Sequence, residues 1–292
     1  MNRIQFLGIL CLAALLGGCA PKTADTDTLQ VAVSILPLGD FVQAVAGDRV
    51  AVTVMIPPGA FPHSYEPKPE QMREMSRAAM YVKVGSPIEF ELVWLEKLLS
   101  IHPSIPVVNA GQGVDLMPME SGPTDDHHTQ RRLDSHSWLS VANAKLMVEN
   151  ILAGLIAIDP AHQEAYRRNA EQYIARLDAL DEQIEQQLAD KRNRKFLVYH
   201  PAWGYFARDY DLEQIPVEQA GKVPTAKNIQ HLIETARREG ITVIFVSPQM
   251  SADQADVIAA EIGGRVISVD PLAQNYIDNL EQVAQIMATT ME

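Results

Sequence analysis

Apolar, β-branched runs alternate with helical patterns in two separate series along this chain, and a long amphipathic stripe lies between them. In the first series Gln30–Ile35, Val50–Ile56, Met80–Val84 and Pro106–Val108 read as strands, with helices at Leu38–Ala46, Pro69–Ala79 and Glu89–Leu99. In the second the strands fall at Phe196–Tyr199, Leu212–Val217, Thr242–Val246 and Arg265–Val269. Its helices lie near Trp203–Tyr210, Ala226–Glu239, Ala252–Glu261 and Asn275–Ala288. Such alternation predicts an α/β protein of two four-stranded parallel-sheet βα lobes.

The stripe is made by Tyr166, Ala170, Tyr173, Leu177, Leu180 and Ile184, at three- and four-residue steps on one helical face. Asp159-Pro160 is a helix-start signal, and Lys191, Arg192, Arg194 and Lys195 suit the negative C-terminal end. From Ala161 to Leu188 the helix measures about 42 Å at 1.5 Å per residue, enough to run the length of both lobes. It is read as a spine helix, the alternative being a free coiled coil, for which about four heptads is short. The expected division is an N-terminal lobe at 29–140, a linking helical region at 141–194 and a C-terminal lobe at 195–292.

At the N-terminus, Arg3 precedes an apolar stretch from Ile4 to Leu16, the length of a signal-peptide core and short of a spanning helix. It runs into Leu16-Gly17-Gly18-Cys19, which resembles the lipobox of bacterial lipoproteins. The expectation is a signal at 1–18, lipidation of Cys19, and a polar tether at 19–28. Cys11 leaves with the signal, so no disulfide is expected. The other apolar runs read as too short to cross a bilayer, so acyl chains on Cys19 would anchor an exported, soluble body to the lipid surface. With 24 Lys and Arg against 37 Asp and Glu, the net charge of −13 argues against nucleic acid as a partner and suits a cationic ligand.

Three groups share one kind of placement. His63 lies just beyond the strand ending at Ile56, His200 follows Phe196-Leu197-Val198-Tyr199, and Asp270 follows Val266-Ile267-Ser268-Val269. Ligands of open parallel sheets bind beyond the carboxyl ends of the strands, so a cleft between the lobes would collect these side chains. His136, ahead of the helical pattern starting near Val141, can bring a fourth. Three imidazoles and a carboxylate make a closed site for Zn²⁺. A single histidine after a strand is ordinarily a core or capping residue, and these spacings match no local metal motif such as His-Glu-x-x-His. The combination of strand-end placement, export and acidity carries the reading.

Four segments, Pro58-Gly59-Ala60-Phe61-Pro62-His63-Ser64-Tyr65-Glu66-Pro67, His136-Ser137-Trp138-Leu139, His200-Pro201-Ala202-Trp203-Gly204-Tyr205-Phe206 and Asp270-Pro271-Leu272-Ala273, occur in this order. Together they resemble the metal-binding lipoproteins of ABC importers for zinc and manganese, the cluster A-I or cluster 9 solute-binding proteins, over residues 29 to 290. The resemblance implies that His63, His136, His200 and Asp270 are metal ligands, that an ABC permease is the partner, and that the protein carries its ion rather than transforming a substrate. Zinc-type members carry His-Pro-Ala-x-x-Tyr-Phe at the third ligand, as here, where manganese-type members carry glutamate. Imidazole suits zinc and carboxylate oxygen suits Mn²⁺, so zinc is the expected cargo and Mn²⁺ the alternative.

There are two departures. The long His- and Asp-rich loop of many zinc-type members is reduced to Asp125-Asp126-His127-His128, read as a solvated loop with an accessory metal site as the alternative. Proline is usual where Ser135 stands before His136. Of the remaining histidines, His162 and His231 read as exposed and His102 as facing a helix C-terminus. Trp138, Trp203 and Tyr205 are expected to pack behind the ligands. The competing readings are a manganese or iron member of the same family, a surface adhesin or metallochaperone, and an exported zinc hydrolase, which would keep a coordination position open for water. A monomer is expected.

Overall fold

The computed structural model describes residues 28–119, 133–218 and 224–291. Cys19 and the Asp125–His128 loop lie outside them. Two four-stranded parallel sheets are present, as the alternation predicts. The first contains β1 (Leu29–Val33), β2 (Val50–Val54), β3 (Met80–Lys83) and β4 (Val107–Asn109) in the order β2-β1-β3-β4. The second contains β5 (Lys195–Val198), β6 (Glu213–Pro216), β7 (Val243–Val246) and β8 (Arg265–Ser268), in the corresponding order β6-β5-β7-β8. Each sheet therefore has its topological switch point between its first and third strands, where a crevice opens at the carboxyl ends.

The helices are α1 (Leu36–Ala46), α2 (Pro69–Met75), α3 (Glu89–Ile101), α4 (Val141–Ile158), α5 (Gln163–Leu188), α6 (Gly204–Asp209), α7 (Ala226–Glu239), α8 (Asp253–Glu261) and α9 (Tyr276–Thr290). Local chemistry sets several boundaries. Ser140 caps α4 by accepting from the Asn143 amide at 3.1 Å, and Thr225 caps α7 through Asn228 N at 3.3 Å. Gly240 ends α7 at φ +68°, a left-handed conformation glycine adopts without strain.

The spine helix is α5. Tyr166, Ala170, Tyr173, Leu177, Leu180, Ile184 and Leu188 are buried along one face, which packs on α4 and on α1 of the first lobe and α9 of the second. Arg194 Nη1 donates to Leu188 O at 2.5 Å, so part of the expected basic cluster does serve the carboxyl end of this helix. Its start differs from expectation. Residues Pro160–His162 form a 3₁₀ turn, and Asp159, instead of capping, accepts from His162 Nδ1 (2.8 Å) and Tyr166 Oη (2.5 Å). His162 is consequently half-buried and paired, not a free surface histidine.

A second correction concerns α4. By length and composition this helix is apolar enough to cross a membrane, where the sequence reads every apolar run beyond Leu16 as too short. Its Ala144, Met147, Val148, Ile151 and Leu155 are instead buried against α1 and α5. The main hydrophobic core passes without interruption from Val31, Val33 and Phe41 through the α5 stripe to Phe196, Phe206, Phe245 and Leu280. A smaller cluster around Leu197, Leu232, Ile244 and Ile258 lies on the other face of the second sheet. The lobes thus share an interior rather than meeting at a solvated seam.

Candidate metal centre

His63 is carried by the proline-rich loop beyond β2, whose turns are closed by Ala60 N to Pro57 O (3.1 Å) and Ser64 N to Phe61 O (3.1 Å). Glu89, the first residue of α3, faces it with Oε2 2.7 Å from His63 Nδ1. Burial works to raise the Glu89 carboxyl, but the hydrogen bond and charge of His63 outweigh it and hold the group below its usual range. The start of α3 is fixed from inside. The buried Glu91 carboxylate accepts from Val84 N and Ser34 Oγ, and Ser34 Oγ meets Tyr81 Oη at 2.8 Å. These groups fill the switch-point crevice of the first sheet with the protein's own carboxylate.

His136 is set by a two-residue turn in which Asp134 Oδ1 accepts both the His136 amide (2.9 Å) and its Nδ1 (2.8 Å). Tyr205 Oη donates to Asp134 O at 3.2 Å and accepts from Met117 N at 2.9 Å. Gly204 is required here: a Cβ would stand 2.6 Å from Asp134 Oδ2. The Trp138 ring lies 5.3 Å from that of His136, and its Nε1 donates to Pro271 O of the second lobe at 2.7 Å.

His200 follows β5 at the switch point of the second sheet. Its Nδ1 lies 3.2 Å from Glu218 Oε2, and Glu218 is fixed by its own amide donating to Tyr199 O at 2.9 Å. Burial lowers the His200 pKa, opposed by the Glu218 hydrogen bond and reinforced by His136 and His63.

These three side chains converge. His200 Nε2 is 3.3 Å from His63 Nε2 and 3.3 Å from His136 Nε2, with His200 in the middle. Each Nδ1 is turned to a carboxylate, Glu89, Asp134 or Glu218. Asp134 and Glu218 are hydrogen-bonded to the Nδ1 atoms of His136 and His200, and Glu89 Oε2 stands in ion-pair range of His63 Nδ1, so each ring in its neutral form turns an Nε2 lone pair toward one region. Lone pairs at that separation repel unless a proton or a cation lies between them. Two nitrogens bound at about 2.0–2.1 Å to one tetrahedral ion stand about 3.3 Å apart, against about 2.9 Å at a right-angled octahedral site with the same bond length. The crevice in front is walled by Phe61, Pro62, Ile88, Trp138, Pro271 and Leu272.

Asp270 departs from the closed four-group site read from the sequence. Among the described residues, the ligand atoms within 4.8 Å of one another belong to His63, His136 and His200 alone. Asp270 follows β8 as expected, but its Oδ1 accepts from Gln249 Nε2 (2.8 Å) and Leu272 N (2.9 Å). Its carbonyl accepts from Asn279 Nδ2 at 2.8 Å. Trp138 and Tyr205 do back the centre, and Trp203 is buried against Phe206.

The three Nδ1 partners were not singled out in the sequence. Asp134 could have been found from its Asp-x-His spacing, whereas Glu89 and Glu218 are brought to their histidines only by tertiary structure.

The sequence family described as the periplasmic zinc-uptake complex component A, ZnuA, matches residues 31–290. The high-affinity zinc uptake system protein ZnuA of Bacillus subtilis (strain 168) is 30% identical over 267 residues, 87% of this chain and 82% of that protein. The manganese-binding lipoprotein MntA of Halalkalibacterium halodurans is 27% identical, covering 96% of each chain. A crystal structure of a ZnuA superposes with a TM-score of 0.84 at 38% identity, over 90% of this chain and 99% of that one. By sequence and fold together, the chain belongs to the ZnuA family of metal-binding solute-binding proteins, cluster 9.

Proposed function

We propose that this protein captures Zn²⁺ in the cleft between its lobes and delivers it to the membrane permease of an ABC importer. It acts as a carrier and not as an enzyme. The Nε2 atoms of His63, His136 and His200 bind the ion. Asp270 is the proposed fourth ligand, since its neighbours Pro271 and Leu272 line the same crevice. The observation that carries this reading is the 3.3 Å spacing of two Nε2 pairs, which suits a tetrahedral ion, with every Nδ1 occupied by a carboxylate.

Capture needs no covalent chemistry. Tetrahedral imidazole-rich coordination suits Zn²⁺, and the apolar walls keep competing water from the nitrogens. The shared core and the spine helix joining α1 to α9 favour small rocking or loop movement over wide hinge opening. Release accordingly takes place at the permease. The chain is proposed to be exported and held at the membrane by lipid on Cys19, through the tether at 19–28, with lobes at 29–140 and 195–292 about the linking region 141–194. The chain is a monomer in this reading.

Metal analysis of protein purified without added metal, followed by titration against a chelating competitor, tests the proposal. One equivalent of zinc that is lost with His200→Ala is expected. A preparation holding manganese in its place would assign the cargo named for the MntA relative instead, and one holding iron an iron-binding member of the family. Hydrolysis of ester, peptide or β-lactam substrates that disappears with His200→Ala would return the enzyme reading.

A further inference from the structure

Gln249 has no part in the centre described so far, yet it lines the same crevice as the three histidines. It follows β7, across the switch point from His200. Its side chain meets Asp270 Oδ1 at 2.8 Å, and because a carboxylate only accepts, the amide nitrogen must be the atom turned toward it. That orientation leaves Gln249 Oε1 buried with no partner. A buried acceptor without a donor is costly, so the contact holds the amide in a half-satisfied state. Gln249 and Leu272 also border a tight apolar seam with Ile35, Leu36, Ile56, Pro57, Gly59 and Ala60. These residues place Gln249 between the histidine crevice and the loop that leads to His63.

We infer that Gln249 is a latch that competes with the incoming cation for the Asp270 carboxylate. This rests on the reading of the cleft as a zinc site. In the metal-free protein the Gln249 amide, together with Leu272 N on the same oxygen, holds Asp270 out of the histidine cluster. The cation is met first by three imidazoles, and Asp270 then exchanges its amide donor for the ion. On release the amide retakes the oxygen, which lowers affinity and speeds departure. Gln249 acts through Asp270 and is a positioning residue, making holding strength adjustable at a residue outside the coordination shell.

The test uses the full chain, purified metal-free, with Zn²⁺ alone as probe and a chromophoric chelator as competitor. Gln249→Met keeps the length of the side chain and removes the amide. It is expected to tighten zinc binding about tenfold, the scale of one hydrogen bond to a charged group. The gain should appear as slower dissociation with little change in association. It should vanish in the double variant with Asp270→Asn, a coupling that loss of packing alone does not produce. Unchanged or weakened affinity in Gln249→Met, or a gain that persists in the double variant, overturns the latch while leaving the zinc reading intact. Failure of the unmutated protein to bind zinc in a His200-dependent manner overturns both.

Discussion

Oε2 of Glu89 stands 2.7 Å from Nδ1 of His63, linking the first turn of α3 to the loop beyond β2. The contact fixes which nitrogen carries the proton and how the ring is aimed. Replacing such a partner of a metal-binding histidine weakens affinity by about 10- to 100-fold. Glu89→Gln should fall in that range for Zn²⁺, with little change in the melting temperature of the metal-free protein. Wild-type affinity in a competitive titration would show that the carboxylate does not orient the ligand.

His200 occupies the middle of the cluster, 3.3 Å from both other Nε2 atoms. His200→Ala should therefore cost more than Glu89→Gln, about 100-fold or beyond. His63→Ala and His136→Ala should also weaken binding strongly. Near-wild-type affinity in all three would defeat the assignment of the centre.

Acid should oppose both folding and loading. Burial holds the His200 pKa below its ordinary value, so below about pH 6.5 the unfolded chain takes up a proton that the folded one resists. The stability tied to this group is present above the unfolded value and is lost as pH falls through the folded one. Thermal melts of the metal-free protein should drop between about pH 7 and pH 5, and less steeply in His200→Asn. An equally steep fall in the variant would place the effect elsewhere. A metal-binding imidazole must be unprotonated, so zinc is expected to be released as the medium is made acidic.

Gly204→Ala places a Cβ 2.6 Å from Asp134 Oδ2, where α6 of the second lobe passes the turn carrying His136. The carboxylate must shift, and His136 with it. A drop in zinc affinity of about tenfold is expected, together with a lower melting temperature. A variant equal to wild type in both would mean that the turn has slack.

Tyr173 Oη donates to Asp40 Oδ2 at 2.7 Å, and the same oxygen accepts Tyr276 N at 3.3 Å, tying α5 to α1 and α9. Burial raises the Asp40 pKa despite these donors. Tyr173→Phe leaves the carboxylate with one of the two and should cost about 1–3 kcal/mol in urea unfolding. No measurable loss would show that water replaces the hydroxyl freely.

The sheets were legible because each strand is an apolar run bounded by a helical pattern, and the α5 face because Tyr166 through Ile184 keep a helical period without a break. The histidines could be placed because a strand end is a topological address that survives without knowledge of packing. What could not be read was pairing between residues that share no local pattern. Glu218 reaches His200 only because β6 lies beside β5, and Glu89 reaches His63 only because Glu91 anchors α3 in the first sheet's crevice. Asp270 shows the converse. Its position after β8 was visible, but its hydrogen bond to Gln249 depends on where the loop after β7 lies.

The uninterrupted interior running from Val33 through Leu177 to Phe245 has a practical consequence. Neither half can be cut out as a self-sufficient module, because excision would strip solvent protection from the partner's apolar wall. Chimeras that trade one half between relatives of different cargo will succeed only when they carry the matching face of the central rod with them.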